Sequence, residues 1–427
     1  MRHCFADFWK RIEALADPRD ADRTVYDLKH VLSLATLMFA CRIPSRRELD
    51  RVSDDAVFLD NLCRFSGVRN DTVMTSGQLV NVLKVLDADE LAELQPALVR
   101  QLIAGKRLSG AYILGHLALA TDGTGIFSSS KAHCDKCLTQ QHKDGSCTYM
   151  HNVLEAKVLG ADGMALSLLS EPVENNSEGK YEKQDCETKA FKRLLPRIKG
   201  AFPRQPFVHL LDSLYANGPA LKAIDETRHQ FICNFKSGSI PTLFDEALEL
   251  IKMNPGNVLR QKVTHTGSKT RRVRQKIQWV NALDYQGMSL AFVRCEETDC
   301  KTGEKKCFAW LTSFEVTREN VRAIAAGGRL RWKIENEGFN EQKNGYDMEH
   351  FCDCSNPDVM RALYLILQTA HMFMQLLARS NLLEQPVEAL CHLAYRLLES
   401  LRNNRLPGHV AEMKLPPMQI RFAKSDP

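Results

Sequence analysis

Three acidic residues stand where catalytic carboxylates form in α/β proteins. Asp122 closes the alternating run Leu117-Ala118-Leu119-Ala120-Thr121 and is followed by Gly-Thr-Gly. Asp212 closes the apolar run Phe207-Val208-His209-Leu210-Leu211. Glu335 lies in RLRWKIENEGFNEQK, a helical pattern. Strand-end carboxylates of an α/β sheet sit where active sites are built. Two Asp and one Glu are hard oxygen donors, suited to Mg²⁺ or Mn²⁺. Two such ions let water or a 3′-hydroxyl attack a phosphodiester in line while the leaving oxygen is stabilised.

A second set of residues is soft. Cys134-x2-Cys137, Cys147 and His151 have the spacing of a zinc site, with His142 as a substitute ligand. Cys186 could reach the same place if the strands fold back. Four protein ligands would make a closed, structural zinc site. His350, Cys352 and Cys354 form a further group, too close in sequence to close a tetrahedron alone. Phosphate contact is the third candidate chemistry. Arg260, Lys262, Lys269, Arg271, Arg272, Arg274 and Lys276 fall in one run without an acid. Arg46, Arg47 and Arg51 form a weaker basic group, interleaved with acids.

These residues need elements to position them. Residues 1–107 read as helices. Phe5, Phe8, Trp9 and Ile12 share a face, 25–40 is nearly all apolar, Gly67 is a helix stop, and Asp87 or Asp89 caps the last helix. No strand signal appears there, so the segment reads as a separate bundle. From Ala111 the pattern changes to three strands, then helix, strand, helix, strand, an α/β plan with a mixed sheet. Residues 240–253 read as a helix, 256–314 turn β-rich, and the chain after Thr317 is helical to about residue 403. The apolar stretch 362–378 is broken by Gln368, Thr369, His371 and Gln375, which predicts a buried core helix rather than a membrane span.

Composition narrows the function classes. Hydrophobic residues at 44% and charged residues at 26% exclude collagen-like and wholly disordered chains. A net charge of only +5 means that any nucleic-acid affinity must come from local patches. The first twenty residues hold no uninterrupted apolar segment, so no signal peptide is expected. The expected location is the cytoplasm, where the 14 Cys would be reduced.

The pieces ATDGTG with Asp122, LLDSLYAN with Asp212 and Tyr215, and RWKIENEGFNEQK with Arg331 and Glu335 resemble the DDE transposases of bacterial insertion sequences. The resemblance is to the branch with a Tyr-Arg-Glu-Lys signature and covers at least residues 111–380. Two positions depart from it. Gly328 stands where the signature has Tyr, and Gln342 where it has Lys, with Lys343 one residue on. Glu337 is the fallback third carboxylate, on a different helix face from Glu335.

The resemblance implies a ribonuclease-H-like core over 111–240 and 315–380, a DNA-binding helical region over 1–107, a β-rich basic insertion over 241–314, and a C-terminal helix and tail over 381–427. It implies that Asp122, Asp212 and Glu335 hold two Mg²⁺ (or Mn²⁺) ions, that Arg331 and Lys343 neutralise phosphate charge, and that the insertion holds DNA. Tyr215 and Trp332 are further DNA-contact candidates, Trp332 as a stacking platform; Trp310 reads as core. The implied activity is cutting at element ends and transfer of the 3′-hydroxyl strand to target DNA, by a homodimer. An inactive DNA-binding relative and a plain Mg²⁺-dependent nuclease of the same fold are the alternatives.

Overall fold

The computed structural model describes residues 6–131, 133–160, 162–175, 183–265, 270–349, 356–383, 387 and 389–406. Seven helices open the chain: α1 (Ala6–Glu13), α2 (Leu28–Ala40), α3 (Arg46–Ser53), α4 (Ala56–Ser66), α5 (Ser76–Leu83), α6 (Ala88–Ala92) and α7 (Leu94–Ala104). Short polar side chains start them. Asp27, Ser45, Asp55 and Asp87 each accept a first-turn amide, and Thr75 with Gln78 forms a capping box. Gly67 ends α4 in the left-handed conformation, at φ 72°.

Five strands follow: β1 (Tyr112–Ile113), β2 (His116–Ser129), β3 (Leu138–Gln141), β4 (Cys147–Leu159) and β5 (Ala165–Val173). Then come α8 (Glu187–Ala201), β6 (Phe207–Leu211), α9 (Gly218–Glu226), β7 (Gln230–Asn234) and α10 (Pro241–Met253). Four long strands come next: β8 (Val258–His265), β9 (Arg271–Tyr285), β10 (Met288–Asp299) and β11 (Lys305–Thr312). The last elements are α11 (Val321–Leu330), a π-helical segment (Ile334–Asn340), α12 (Glu341–Tyr346), α13 (Pro357–Arg379) and α14 (Leu390–Asn403).

The fold is mixed α/β around one eleven-stranded mixed sheet. Its path runs β3-β4-β2-β6-β7-β11-β10-β9-β8, with β5 on β4 and β1 on β2. β2, β4 and β5 are antiparallel neighbours, while β6 joins β2, and β7 joins β6, in parallel. The β-rich segment is no detached module: β11 pairs with β7, so β8 to β11 extend the central sheet.

Each face of the sheet has its own core. One holds Ile324, Ile334 and Phe339 over Ala118, Val208, Leu210 and Trp310. The other is larger and runs from Phe8 through α8 and α13 to Leu401. The N-terminal helices therefore share a core with the rest of the chain instead of forming a bundle of their own. The cause is α13, which is buried without a break from Ala362 through Leu376 and packs on α2, α5, α6, α7 and β5. Each of its large apolar side chains contributes about 1.5–3 kcal/mol on burial. No helix among the described residues is long and apolar enough to cross a membrane.

A buried histidine pair braces β6 against the turn before β7. His209 Nε2 lies 3.0 Å from His229 Nδ1, and both rings are nearly inaccessible. Burial holds both imidazoles below their usual range, His229 at about 4, with Lys199 and His116 acting in the same direction. The unfolded chain therefore binds protons below pH about 6.5 that the folded chain refuses, so stability falls as pH drops from about 6.5 to about 4. The urea midpoint should be lower at pH 5 than at pH 7.5, and His229→Gln should flatten that decline.

Candidate active site and basic groove

Parallel pairing brings the two aspartates together. β2 and β6 pair Leu117 with Phe207 and Ala120 with Leu210. Continuing that register sets Asp122 beside Asp212, on strands about 4.8 Å apart. Asp212 caps the short turn that follows it, accepting from the Leu214 amide at 2.9 Å. Asp122 accepts from the Gly123 amide at 3.1 Å and from Arg331 Nη1 at 3.0 Å. Burial and the neighbouring Asp212 raise the Asp122 pKa, against the lowering effect of Arg331.

A third carboxylate sits here that the sequence reading did not single out. Glu187 opens α8, and burial together with Asp122 and Asp212 pushes its pKa up to about 7. Its approach requires Gly123, where a Cβ would fall 2.2 Å from Glu187 Oε1. Gly123 in the run after Asp122 was the available signal. Tyr215, expected at the DNA surface, is fully buried against Phe191 instead, with an unpartnered hydroxyl. Burial raises its pKa, and so do Glu187, Asp122 and Asp212, which places the ring among the carboxylates.

The third motif is only partly gathered. Arg331 is buried and spends its charge on Asp122, not on Glu335. Glu335 is exposed one turn later and has no hydrogen-bond or ion-pair partner among the described residues. Asp122, Asp212 and Glu335 do not bring their oxygens within 4.8 Å of one another; the one described trio that close is Cys134, Cys137 and His151. Glu337 turns elsewhere, toward Lys333 at 3.9 Å, and its backbone carbonyl accepts from Gln375.

The π-helical segment adds a residue to the turn between Glu335 and Lys343. Gln342, at the signature Lys position, is buried and bonded to Gln368 and His371. Lys343 is half-exposed and pairs with Glu349 at 2.7 Å. Gly328 replaces the signature Tyr because Trp310 occupies that space: a Cβ on Gly328 would fall 2.2 Å from Trp310 Nε1. Trp310 is core, as expected, while Trp332 is 50% exposed with the Arg331 guanidinium 5.4 Å from its ring centre.

The basic strands make a shallow groove of about 710 Å³. Arg260, Lys262, Arg274, Lys276, Lys305 and Lys306 line it, against one carboxylate, Glu296. Arg260 faces Lys276 and Lys262 faces Arg274 across the β8–β9 ladder. Such like-charge pairs are unfavourable without an anion between them. Lys305 and Lys306 were not singled out from sequence because Glu304 precedes them. Arg271 is not a free cation: it binds Asp299 at 2.5 Å. Arg272 is exposed beside the groove, and Lys269 lies outside the described residues. The groove overhangs the carboxylate end of the sheet. Asp212 is level with Asn234 and hence with Trp310, and Lys306 is four residues farther in that direction.

Cys147 does not join the other soft ligands. It sits four residues before His151 on β4, about 13 Å along the strand. The Cys186 thiol pairs with Thr188 and His142 with Thr148. His350, Cys352 and Cys354 lie outside the described residues. No protein-family model and no curated protein matches this chain.

Among the described residues Arg331 is the cation bonded to Asp122. Arg331→Gln should destabilise the chain by about 3 kcal/mol, because it leaves a half-buried carboxylate beside two others. Adding Asp122→Asn should recover part of that loss. A cost of the double variant in urea unfolding equal to the sum of the Arg331→Gln and Asp122→Asn costs would show that the pair is not coupled.

Proposed function

We propose that this chain is a DDE-type DNA transposase: an enzyme that cuts a DNA strand and transfers a 3′-hydroxyl to a second phosphodiester, on a ribonuclease-H-like core. The observation that carries the reading is the register that sets Asp122, midway along β2, beside Asp212 just past the end of the parallel strand β6, with Glu187 near both. The order β5-β4-β2-β6-β7, three antiparallel strands followed by two parallel ones, supports the ribonuclease-H-like assignment.

Asp122, Asp212 and Glu187 offer the hard oxygen donors a divalent cation prefers, and their oxygens would have to close up around it, since they do not all lie within 4.8 Å of one another. Burial and Asp212 raise the Asp122 pKa, and burial with Asp122 and Asp212 raises that of Glu187, an excess of negative charge that a dication would relieve. Asp122, Asp212 and Glu187 would hold Mg²⁺ or Mn²⁺, with Glu335 on the neighbouring helix as the carboxylate that the family motif supplies. Bound there, such ions activate the attacking water or hydroxyl and stabilise the leaving oxygen.

The chain's own residues do the rest. Arg331 orients Asp122 and favours its ionised form. Trp332 offers a face on which a displaced base stacks. The groove cations hold the phosphate backbone, and Lys343 is a further cation on the helix after Glu335. Two copies would bridge two element ends.

The direct test is a labelled duplex carrying the ends that flank the coding region, incubated with Mg²⁺ or Mn²⁺. Wild type should yield nicked and joined strands. Asp212→Asn should yield neither, and Glu187→Gln strongly less. Wild-type protein that binds this duplex without cutting would overturn the reading in favour of an inactive DNA-binding relative, and nicking without joining would favour a plain nuclease.

Groove contacts have their own readout. Replacing Arg260 and Arg274 with Ala should weaken binding across unrelated sequences and lower the salt slope of log K by about 2. Arg271→Ala should instead act mainly on stability, seen in thermal unfolding.

A further inference from the structure

Cys134, Cys137 and His151 lie apart from the carboxylates and serve none of the steps above. The turn that carries the two cysteines is shaped around sulfur. The Cys137 amide donates to the Cys134 carbonyl at 3.1 Å, and the Cys134 amide points at Cys137 Sγ at 3.3 Å. The two Sγ atoms are 3.8 Å apart, and His151 Nε2 is 3.2 Å from one and 3.3 Å from the other. Zn–S bonds of about 2.3 Å and Zn–N bonds of about 2.0–2.1 Å put tetrahedral neighbours about 3.5–3.8 Å apart. The trio is within a few tenths of an ångström of that spacing. Cys137 and His151 are also buried, so two of the three donors are held by packing.

We propose that Cys134, Cys137 and His151 bind a structural zinc ion, as three of its ligands. Both thiols give up their protons as thiolates, and no redox step is involved. The ion ties the turn after β2 to the middle of β4.

The tie reaches the catalytic cluster. Two successive carbonyls of the turn hold Asn175: its amide donates to Lys136 at 3.0 Å and its Nδ2 to Cys137 at 2.8 Å. Asn175 Oδ1 in turn accepts from the Asp185 amide at 3.1 Å, two residues before Glu187. Gln184 fastens the same segment to β3 through both Thr139 backbone groups. A metal at the turn therefore fixes where α8 begins. Zinc binding stands independently of the transposase reading, because the donors need neither DNA nor Mg²⁺.

The test is zinc content of the full chain by mass spectrometry of the metal, after gel filtration under reducing conditions. Wild type should retain stoichiometric zinc. Cys134→Ser and His151→Ala should lose it, and Cys147→Ser should keep it. Loss in Cys147→Ser equal to the loss in Cys134→Ser would overturn the ligand set.

If the Cys134 and His151 variants fail to fold, cobalt(II) titrated into chelator-treated wild type decides the matter. A thiolate charge-transfer band with tetrahedral ligand-field absorption supports the site. The weak spectrum of oxygen-bound cobalt, or wild-type protein without zinc, overturns it.

Discussion

Repulsion between carboxylates is the constraint around which this structure is arranged. The β2–β6 register sets Asp122 beside Asp212 where β6 ends, although β2 runs on to Ser129 instead of ending at Asp122 as its sequence predicts, and the start of α8 adds Glu187. Burial first, and then carboxylate neighbours, raise the pKa of Asp122 and of Glu187. One buried cation answers them. Arg331, at the end of α11, reaches Asp122 and so ties the helix on one face of the sheet to the strand that carries the site. The fold tolerates the cluster through Arg331, and the excess of negative charge is what suits it to a dication.

A second buried polar system fixes the helix that follows. Lys157 on β4 is wholly inaccessible, with Nζ 2.6 Å from Gln368 and 3.6 Å from Glu155. Gln368 also bonds Gln342, which reaches His371, and His371 pairs with Glu341 at 3.0 Å. Burial lowers the Lys157 pKa while Glu155 raises it. This chain of bonds locks α12 to α13 and β4. A lysine at position 342 would enter a site that already holds Lys157. Buried polar networks are stable only when their members are paired, and Lys343, the next residue, stays outside this one and pairs with Glu349.

Much of this was legible in the sequence, for physical reasons that can be named. Strand alternation and apolar runs marked β2 and β6, and a carboxylate at the end of each stood out. The interrupted apolar stretch of α13 marked a buried helix, because its polar residues are network members rather than surface groups. Glu187 was not legible: it sits in the polar run KQDCE, and only the close approach to Gly123 reveals its role. Cys147 misled because spacing in sequence says nothing of extension, and four strand residues separate it from His151. Tyr215 misled because a position after a catalytic Asp was read as surface, while the ring packs inward on Phe191. The shared core of the N-terminal helices depends on contacts across the whole chain, which no local pattern records.

The sheet also sets how far apart the groove and the carboxylates lie. From β6 to β11 is two strand steps and from β6 to β8 is five, or about 10–24 Å at 4.8 Å per step. At about 3.4 Å per base pair that is roughly three to seven base pairs. The twist of about 20–25° per step turns the sheet through about a right angle between β6 and β9, so the groove faces a different direction from the strand ends. The register nevertheless carries the groove beyond the carboxylate end, four residues past the level of Asp212. A net charge of +5 would attract DNA weakly if it were spread evenly. Gathered as six cations on one overhanging ribbon, it concentrates positive potential beyond the level of the carboxylates. A continuous sheet transmits that spacing more rigidly than a linker between two modules would, and this is the advantage of pairing β11 with β7.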